Sequence, residues 1–197
     1  MEYYLSLITF TFVAGITPGP NNMMLLASGV NHGIRKSIPH YLGICIGFPI
    51  LVTVVGFGLG TLFNEYPSIY VYVKVSGIAY LLYLAWKIAN ADNLSASKKM
   101  RQPLTFIQAA AFQWLNPKAW VLAIGGLAAF TIPDNMTQSV AMIILVYFLT
   151  GFIYTAFWLK LGQGLQQLLY SDTRRHYFNI TMAVLLALSV IPMAFTA

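Results

Sequence analysis

Two proline motifs interrupt apolar stretches of the chain that would otherwise form uninterrupted helices. Residues 17–22 read Thr-Pro-Gly-Pro-Asn-Asn, and residues 113–118 read Gln-Trp-Leu-Asn-Pro-Lys. Because proline lacks an amide hydrogen and clashes with the preceding turn, a helix opens at each motif and exposes backbone carbonyls and amides. Such groups, with side-chain amides and a lysine beside them, are suited to binding a small polar ligand. The candidate binding residues are Thr17, Pro18, Gly19, Pro20, Asn21, Asn22, Gln113, Asn116, Pro117 and Lys118.

The elements that carry these motifs are predicted to be membrane helices. Of the 197 residues, 58% are apolar and only 8% are charged, which is about a third of the charged share in soluble domains. One membrane crossing needs about 20 apolar residues. Six stretches are long enough, namely residues 3–30, 41–63, 69–88, 104–132, 139–161 and 177–195. We therefore expect an all-α membrane protein in which residues 1–197 form a single domain of six transmembrane helices.

The basic residues indicate how these helices are oriented. Most of them follow the first, third and fifth predicted spans, and the positive-inside rule assigns the loops there to the cytoplasm. Both termini are then expected on the outer side. The net charge of +6 is an orientation signal on this interpretation, and no nucleic-acid partner is expected. The bases in question are Arg35, Lys36, Lys87, Lys98, Lys99, Arg101, Lys160, Arg174 and Arg175.

The two motifs lie half a chain apart. Pro18 and Pro117 are 99 residues apart in a chain of 197, so they fall at corresponding positions of two pseudo-repeats, about 1–98 and 99–197. Each half would contain three spans, and an odd number makes the second half enter the membrane from the opposite side. The sequence therefore predicts two inverted three-helix repeats, with the first and fourth helices broken near the membrane midplane.

Lys118 lies too far from either end of its span for its ammonium to reach water. A lysine at the centre of a membrane helix costs about 2.5–3.5 kcal/mol on insertion scales, so a partner or a wet cavity is expected. One hypothesis is that the ammonium binds the carboxylate of a substrate, assisted by backbone groups freed at both breaks. The alternative is that Lys118 caps the carbonyls released just before Pro117. Both can hold in different conformations.

The sequence offers no residues suited to catalysis or to holding a metal. No Asp or Glu lies in the middle of a predicted span, and there is no phosphate-binding loop. His32, His40 and His176 are not spaced to share a metal ion. We expect no cofactor, no metal and no enzymatic activity. If protons are moved, the carrier would be His40, the bound ligand or Lys118.

The second predicted span contains two pairs of glycines at a spacing of four residues. Gly43 and Gly47 form one pair, and Gly56 and Gly60 form the other. Glycines at this spacing let a second helix approach closely, because no side chain holds the backbones apart. The approaching helix can belong to the same chain, or it can belong to a second copy in a homodimer.

The sequence resembles the lysine exporter and homoserine/threonine exporter family, LysE/RhtB, over essentially its whole length. The resemblance rests on the first motif with Ile16 before it, on the basic loop 32–35, on residues 83–87 (Tyr-Leu-Ala-Trp-Lys), and on residues 115–118. The doubled asparagine at 21–22 and the string at 86–89 are most similar to the cysteine and O-acetylserine exporter branch.

The resemblance implies a secondary transporter that exports small amino acids or derivatives, such as cysteine, O-acetylserine or homoserine and threonine, across the bacterial inner membrane. We expect alternating access around a midplane site. Lys118 and freed amides would bind the substrate carboxylate, and asparagine oxygens or first-span carbonyls would bind its ammonium. The expected partners are this substrate and the lipid bilayer. The alternatives are a membrane scaffold or subunit that transports nothing, and a passive amino-acid channel.

Overall fold

The computed structural model describes residues 2–59, 67–90, 102–169, 171–188 and 191. Within these ranges the chain forms seven α-helices and no strand, which confirms the all-α prediction for them. A π-helical turn, Val55–Leu59, follows the second helix, and a 3-10 turn, Pro133–Asn135, precedes the sixth. The helices are α1 (Glu2–Ile16), α2 (Pro20–Val54), α3 (Pro67–Ala89), α4 (Phe106–Leu115), α5 (Pro117–Phe130), α6 (Met136–Leu168) and α7 (Asp172–Leu188).

The third, fifth and sixth predicted spans correspond to single helices, α3, α6 and α7. The basic residues Lys98, Lys99 and Arg101 lie outside the described residues, as does Gly60. The six-span inverted repeat stays a prediction.

Both proline motifs break a helix, as predicted. Residues 17–19 separate α1 from α2, and Gly19 has extended backbone before the new helix begins at Pro20 (φ −179°, ψ 176°). Asn116 alone separates α4 from α5, with φ −89° and ψ 102°. In both cases a proline occupies the first turn of the new helix, where its missing amide hydrogen leaves no bond unmade. The first and fourth predicted spans therefore each consist of two helices.

The chain between the first two predicted spans is helical on both sides of a kink, whereas the sequence predicted a loop at residues 32–35. One residue, Gly33, departs from helical geometry, with φ 75° and ψ 169°. Glycine adopts this left-handed region readily because it has no Cβ. A single glycine therefore turns the chain within α2, and Arg35 and Lys36 remain exposed on the helix that follows.

Packing joins the helices on either side of both breaks. One buried apolar cluster combines side chains of α1, α2, α5 and α6, and it includes Leu7, Phe48, Trp120 and Tyr147. A second cluster combines α2, α3, α4 and α7. Because α2 belongs to both clusters while α4 and α5 belong to one each, the two proline motifs are brought next to each other.

Three of the paired glycines, Gly43 and Gly47 in α2 and Gly56 in the π-helical turn, are used for packing within the chain. A Cβ added at Gly47 would lie 2.6 Å from Cα of Ala110, and one added at Gly43 would lie 2.7 Å from Cβ of Ala109, also in α4. A Cβ added at Gly56 would lie 2.9 Å from a methyl group of Val140 in α6. The internal use of these glycines is thus confirmed, and the homodimer stays a prediction.

The surface of the molecule is apolar enough for lipid. Two stretches, Pro20–Gly58 and Pro133–Gln166, are long and apolar enough to cross a membrane. Large apolar side chains are also exposed around the molecule, for example Ile107, Val121 and Ile153, each with more than 60% of its surface accessible. Soluble proteins rarely expose apolar surface on this scale. The chain is therefore a membrane protein.

Candidate functional site

The ammonium of Lys118 binds the first break. Its Nζ donates hydrogen bonds to the Thr17 carbonyl oxygen at 2.8 Å, to Thr17 Oγ1 at 2.7 Å and to the Pro18 carbonyl oxygen at 3.2 Å. All three acceptors are neutral, and no carboxylate of the described residues pairs with this ammonium. The hypothesis that Lys118 caps the carbonyls just before Pro117 is wrong in its location, because the carbonyls it binds belong to the other motif.

Gly19 provides the space that the Lys118 side chain occupies. A Cβ added at Gly19 would lie 2.6 Å from Cδ of Lys118 and 3.0 Å from its Nζ. The backbone of Gly19 is extended, a conformation open to any residue. Glycine is needed here for clearance rather than for backbone freedom.

Asn22 binds two of the carbonyls that the first break releases. Its Nδ2 donates to the carbonyl oxygens of Gly15 and Thr17, both at 2.8 Å, and the side chain is only 3% exposed. Because both partners are carbonyl oxygens, the atom that faces them has to be the amide nitrogen, and the other atom of the amide has to be the oxygen. The remaining atom, Oδ1, is buried and has no hydrogen-bond partner among the described residues.

A pair of side-chain amides forms a second link between the motifs. Asn21 Nδ2 donates to Gln113 Oε1 at 2.8 Å, and Gln113 Nε2 donates back to Asn21 Oδ1 at 3.2 Å. The Gln113 amide also donates to the Ala109 carbonyl at 2.9 Å. The beginning of α2 is thereby tied to the end of α4.

Asn116 caps the helix that begins at the second break. Its Oδ1 accepts a hydrogen bond from the backbone amide of Lys118 at 3.2 Å, which caps the start of α5. The side chain is 2% exposed. The cap fixes the direction in which α5 leaves the break, and with it the position from which Lys118 extends.

Indole groups satisfy carbonyls just before each break. Trp120 Nε1 donates to the carbonyl of Trp114 at 2.9 Å, and Trp158 Nε1 donates to the carbonyl of Ile16 at 3.1 Å. A buried carbonyl without a donor is unfavourable in a membrane protein. These two bonds therefore stabilise the open helix ends that the prolines create.

A cavity of about 30 Å³ lies between the two breaks, which is room for about two water molecules. Five of the predicted residues line it, namely Gly19, Asn21, Asn22, Asn116 and Lys118. The other predicted residues bond to these or shape the helix ends: Thr17, Pro18, Pro20, Gln113 and Pro117. The rest of the wall, which sequence reasoning missed, consists of Gly15, Phe48, Ala119, Leu122 and Tyr154.

The family model described as LysE type translocator matches residues 12–193 of the sequence. The chain belongs to this family. It is also 32% identical over 188 residues to the cysteine/O-acetylserine efflux protein of Salmonella paratyphi A, and 31% identical over 188 residues to that of Escherichia coli strain K12. Each alignment covers 90% of both chains. No solved structure matches the chain.

Family membership confirms the resemblance seen in the sequence, and it makes the protein a transporter rather than an enzyme. In this translocator the candidate site contains both a hydrogen-bond donor with a positive charge and carbonyl acceptors. The Lys118 ammonium donates to anionic or neutral oxygens, and the carbonyls of Thr17 and Pro18 accept from any donor, including a cation. The arrangement can therefore bind a ligand that carries both a carboxylate and an ammonium.

The apolar wall of the cavity was missed for a physical reason. Phe48, Ala119 and Leu122 are ordinary residues of apolar helices, and nothing in their local sequence separates them from residues that face lipid. Tyr154 carried a weak signal, because it stands close to Thr150 and Thr155 in an otherwise apolar stretch.

Proposed function

We propose that the protein is a secondary transporter that exports small amino acids or their derivatives, such as cysteine, O-acetylserine or homoserine, across the bacterial inner membrane. The observation that carries the proposal is the contact between Lys118 and the carbonyls of Thr17 and Pro18. Its relatives in Salmonella paratyphi A and Escherichia coli are cysteine/O-acetylserine efflux proteins, which supports the substrate class and the direction of transport.

Substrate binding would exchange partners at this contact. The substrate carboxylate accepts hydrogen bonds from the Lys118 ammonium. The substrate ammonium donates to the oxygens of the first break that Lys118 no longer binds. Before the exchange the Lys118 ammonium binds neutral oxygens, and a substrate carboxylate adds the attraction between opposite charges to these hydrogen bonds, so the exchange is favourable for a zwitterion. A ligand that lacks either charge would leave one side of the contact without a partner.

The same exchange would couple binding to movement. An ammonium without partners inside the membrane is costly, so Lys118 stays on the first break until a substrate carboxylate replaces it. When it leaves, the link between the two motifs weakens, and one half of the molecule can move against the other. Substrate binding then shifts the equilibrium between inward-open and outward-open states, as alternating access requires.

The architecture that we propose for this cycle has six spans in two inverted three-helix repeats, with both termini outside and both breaks near the midplane. Its support is the position of the breaks 99 residues apart, the matching proline at the start of α2 and α5, and the concentration of bases in alternate loops. Repeats of this kind commonly place the binding site at the breaks.

The proposal is tested by counterflow of labelled cysteine, O-acetylserine and homoserine in proteoliposomes. Lys118→Met keeps an unbranched side chain that is one atom shorter and removes its charge, and we expect it to weaken exchange at least about tenfold. Lys160→Met is the matched control, because Lys160 is exposed on α6 away from the site. Undiminished exchange by the Lys118 variant would show that the proposed site is wrong.

Two further measurements separate the alternatives. A passive channel equilibrates substrate but never accumulates it against a gradient, so uphill accumulation contradicts the channel. A scaffold or subunit binds a partner protein rather than an amino acid. Stabilisation against heat by cysteine, O-acetylserine or homoserine is the expected result, and stabilisation by a copurifying partner alone would support the scaffold.

A further inference from the structure

The cavity beside Lys118 contains one polar atom that the fold leaves without a partner. This atom is Oδ1 of Asn22, and it is buried. The nitrogen of the same amide is committed to the carbonyls of Gly15 and Thr17, so rotation of the amide cannot satisfy the oxygen without breaking both bonds. A buried acceptor without a donor is unfavourable. The missing partner is therefore a hydrogen-bond donor.

The position of Asn22 relative to Lys118 suits an α-amino acid. The Thr17 carbonyl accepts from Lys118 Nζ and from Asn22 Nδ2, each at 2.8 Å. The lysine ammonium and the asparagine amide thus flank one carbonyl oxygen. Asn22 Oδ1 belongs to the same amide as the Nδ2 that binds Thr17, and in an α-amino acid a single carbon atom separates the carboxylate from the ammonium, so one molecule can contact Lys118 and this amide together.

Apart from the asparagines, the glycines and Lys118, the remaining wall of the cavity is apolar, and none of the described residues that line it is negatively charged. Phe48, Ala119 and Leu122 form it together with the ring of Tyr154. A positively charged substrate side chain would find no carboxylate there, and it would be repelled by Lys118. The cavity measures only about 30 Å³ while Lys118 occupies the site, so a short side chain needs the least further opening of this wall.

We propose that the cavity has two subsites, one in which Asn22 Oδ1 joins the oxygens freed at the first break to bind the substrate ammonium, and one against Phe48, Ala119 and Leu122 for a short uncharged side chain. This inference rests on the proposed function, in which Lys118 binds the carboxylate. It assigns a place to each part of the substrate. It also excludes basic amino acids such as lysine, although the family is named for lysine export.

The ammonium subsite is tested with cysteine and two analogues as competitors of labelled cysteine in counterflow. The analogue 3-mercaptopropionate lacks the ammonium, and cysteamine lacks the carboxylate. In the wild type, we expect each analogue to compete about ten- to a hundredfold more weakly than cysteine. For each analogue, the measured quantity is the ratio of its half-inhibitory concentration to that of cysteine. In Asn22→Ala this ratio should fall towards one for 3-mercaptopropionate, while the ratio for cysteamine should stay as high as in the wild type.

Lys118→Met should show the opposite pattern. Cysteine and cysteamine should then compete equally well, while 3-mercaptopropionate should still compete more weakly than cysteine. Asn22→Ala that weakens all three competitors equally would mean that Asn22 only supports the helix end, and the ammonium subsite would be wrong. The wild-type comparison needs no variant, so equal competition by cysteine and 3-mercaptopropionate overturns the subsite even if Asn22→Ala does not fold. A wild type that exchanges no labelled amino acid instead overturns the proposed function itself.

The side-chain subsite is tested by enlarging it. Leu122→Ala should let methionine and leucine compete about tenfold or more better relative to cysteine, because removed methyl groups open space for longer side chains. Val121→Ala is the matched control, since Val121 is the preceding residue on α5 and is 65% exposed. An unchanged order of competitors in the Leu122 variant, or effective competition by lysine in the wild type, would overturn this subsite.

Discussion

Asn21 and Gln113 lie 92 residues apart in the chain and exchange two hydrogen bonds between their side-chain amides. The pair connects the first residues of α2 to the last turn of α4. It is neutral, whereas the neighbouring contact of Lys118 with Thr17 involves a charge. The two motifs are therefore held together by two contacts of different kinds, of which only the charged one is exchanged in the proposed cycle.

We expect the amide pair to contribute measurable coupling to stability. Replacing Asn21 and Gln113 by alanine singly and together should give a coupling free energy of about 0.6 to 1.7 kcal/mol, the range found for hydrogen bonds between membrane helices. The measurement is reversible unfolding in mixed micelles with increasing denaturing detergent. Gln138→Ala, at an exposed position on α6, should combine additively with Asn21→Ala. Additivity of Asn21→Ala with Gln113→Ala would contradict the predicted coupling.

Gly19→Ala should impair transport more than it impairs folding. The added methyl group collides with the Lys118 side chain, which is flexible enough to move aside, and the extended backbone at Gly19 accepts alanine. Displacement of the ammonium from the Thr17 carbonyl should lower exchange at least about tenfold, since small misplacements of a binding group are costly. Counterflow and thermal unfolding of the same preparation check this.

Gly164→Ala is the control for that variant, because a Cβ added at Gly164 meets no atom within 4 Å. It should leave exchange unchanged and stabilise α6 slightly, since alanine favours helix over glycine. The opposite result would be a Gly19 variant that is less stable but whose folded molecules exchange substrate at the wild-type rate. It would show that Gly19 is needed for packing rather than for the position of Lys118.

Gly47→Ala should destabilise the fold by about 1–3 kcal/mol, the usual cost of overpacking. The added methyl group would lie 2.6 Å from Cα of Ala110, and a backbone atom cannot rotate away. Gly125→Ala is the comparison, because its new methyl group would meet only Phe10 at an ordinary 3.9 Å. Unfolding in detergent measures both variants. A Gly47 variant that keeps its stability but loses a dimer in light scattering would favour the homodimer instead.

His40→Leu should leave stability unchanged or raise it. The imidazole is 2% exposed, and both of its ring nitrogens lack a partner among the described residues. Replacing unsatisfied buried polar atoms by apolar ones of similar volume removes an unfavourable term. Ser37→Ala is the contrast, because it removes the hydroxyl that bonds Ser28 at 2.7 Å and should destabilise. Thermal unfolding ranks the two variants.

The His40 variant also tests the hypothesis that this residue carries protons. Loss of accumulation driven by a pH gradient, with counterflow retained, would support that role. Accumulation equal to that of the wild type would remove His40 from the candidates and leave Lys118 and the substrate.

Local effects in the sequence were sufficient to predict where the helices break. The influence of Pro20 and Pro117 on backbone hydrogen bonding extends over one helical turn, so both interruptions could be predicted without knowledge of the fold. The loop expected at residues 32–35 is reduced to a kink, because Gly33 turns the chain within one residue and the charged side chains after it are compatible with an exposed helix.

The sequence by itself determined the kind of protein and the residues to examine, because composition, proline positions and an isolated lysine act through lipid solvation and local geometry. Only the tertiary structure decided which oxygens Lys118 binds, that Oδ1 of Asn22 lacks a partner, and which apolar side chains close the cavity. These contacts join residues about a hundred positions apart, and they depend on how α1, α2, α5 and α6 pack together. No local pattern encodes that packing, since apolar side chains that face lipid and those that face the cavity have the same chemistry.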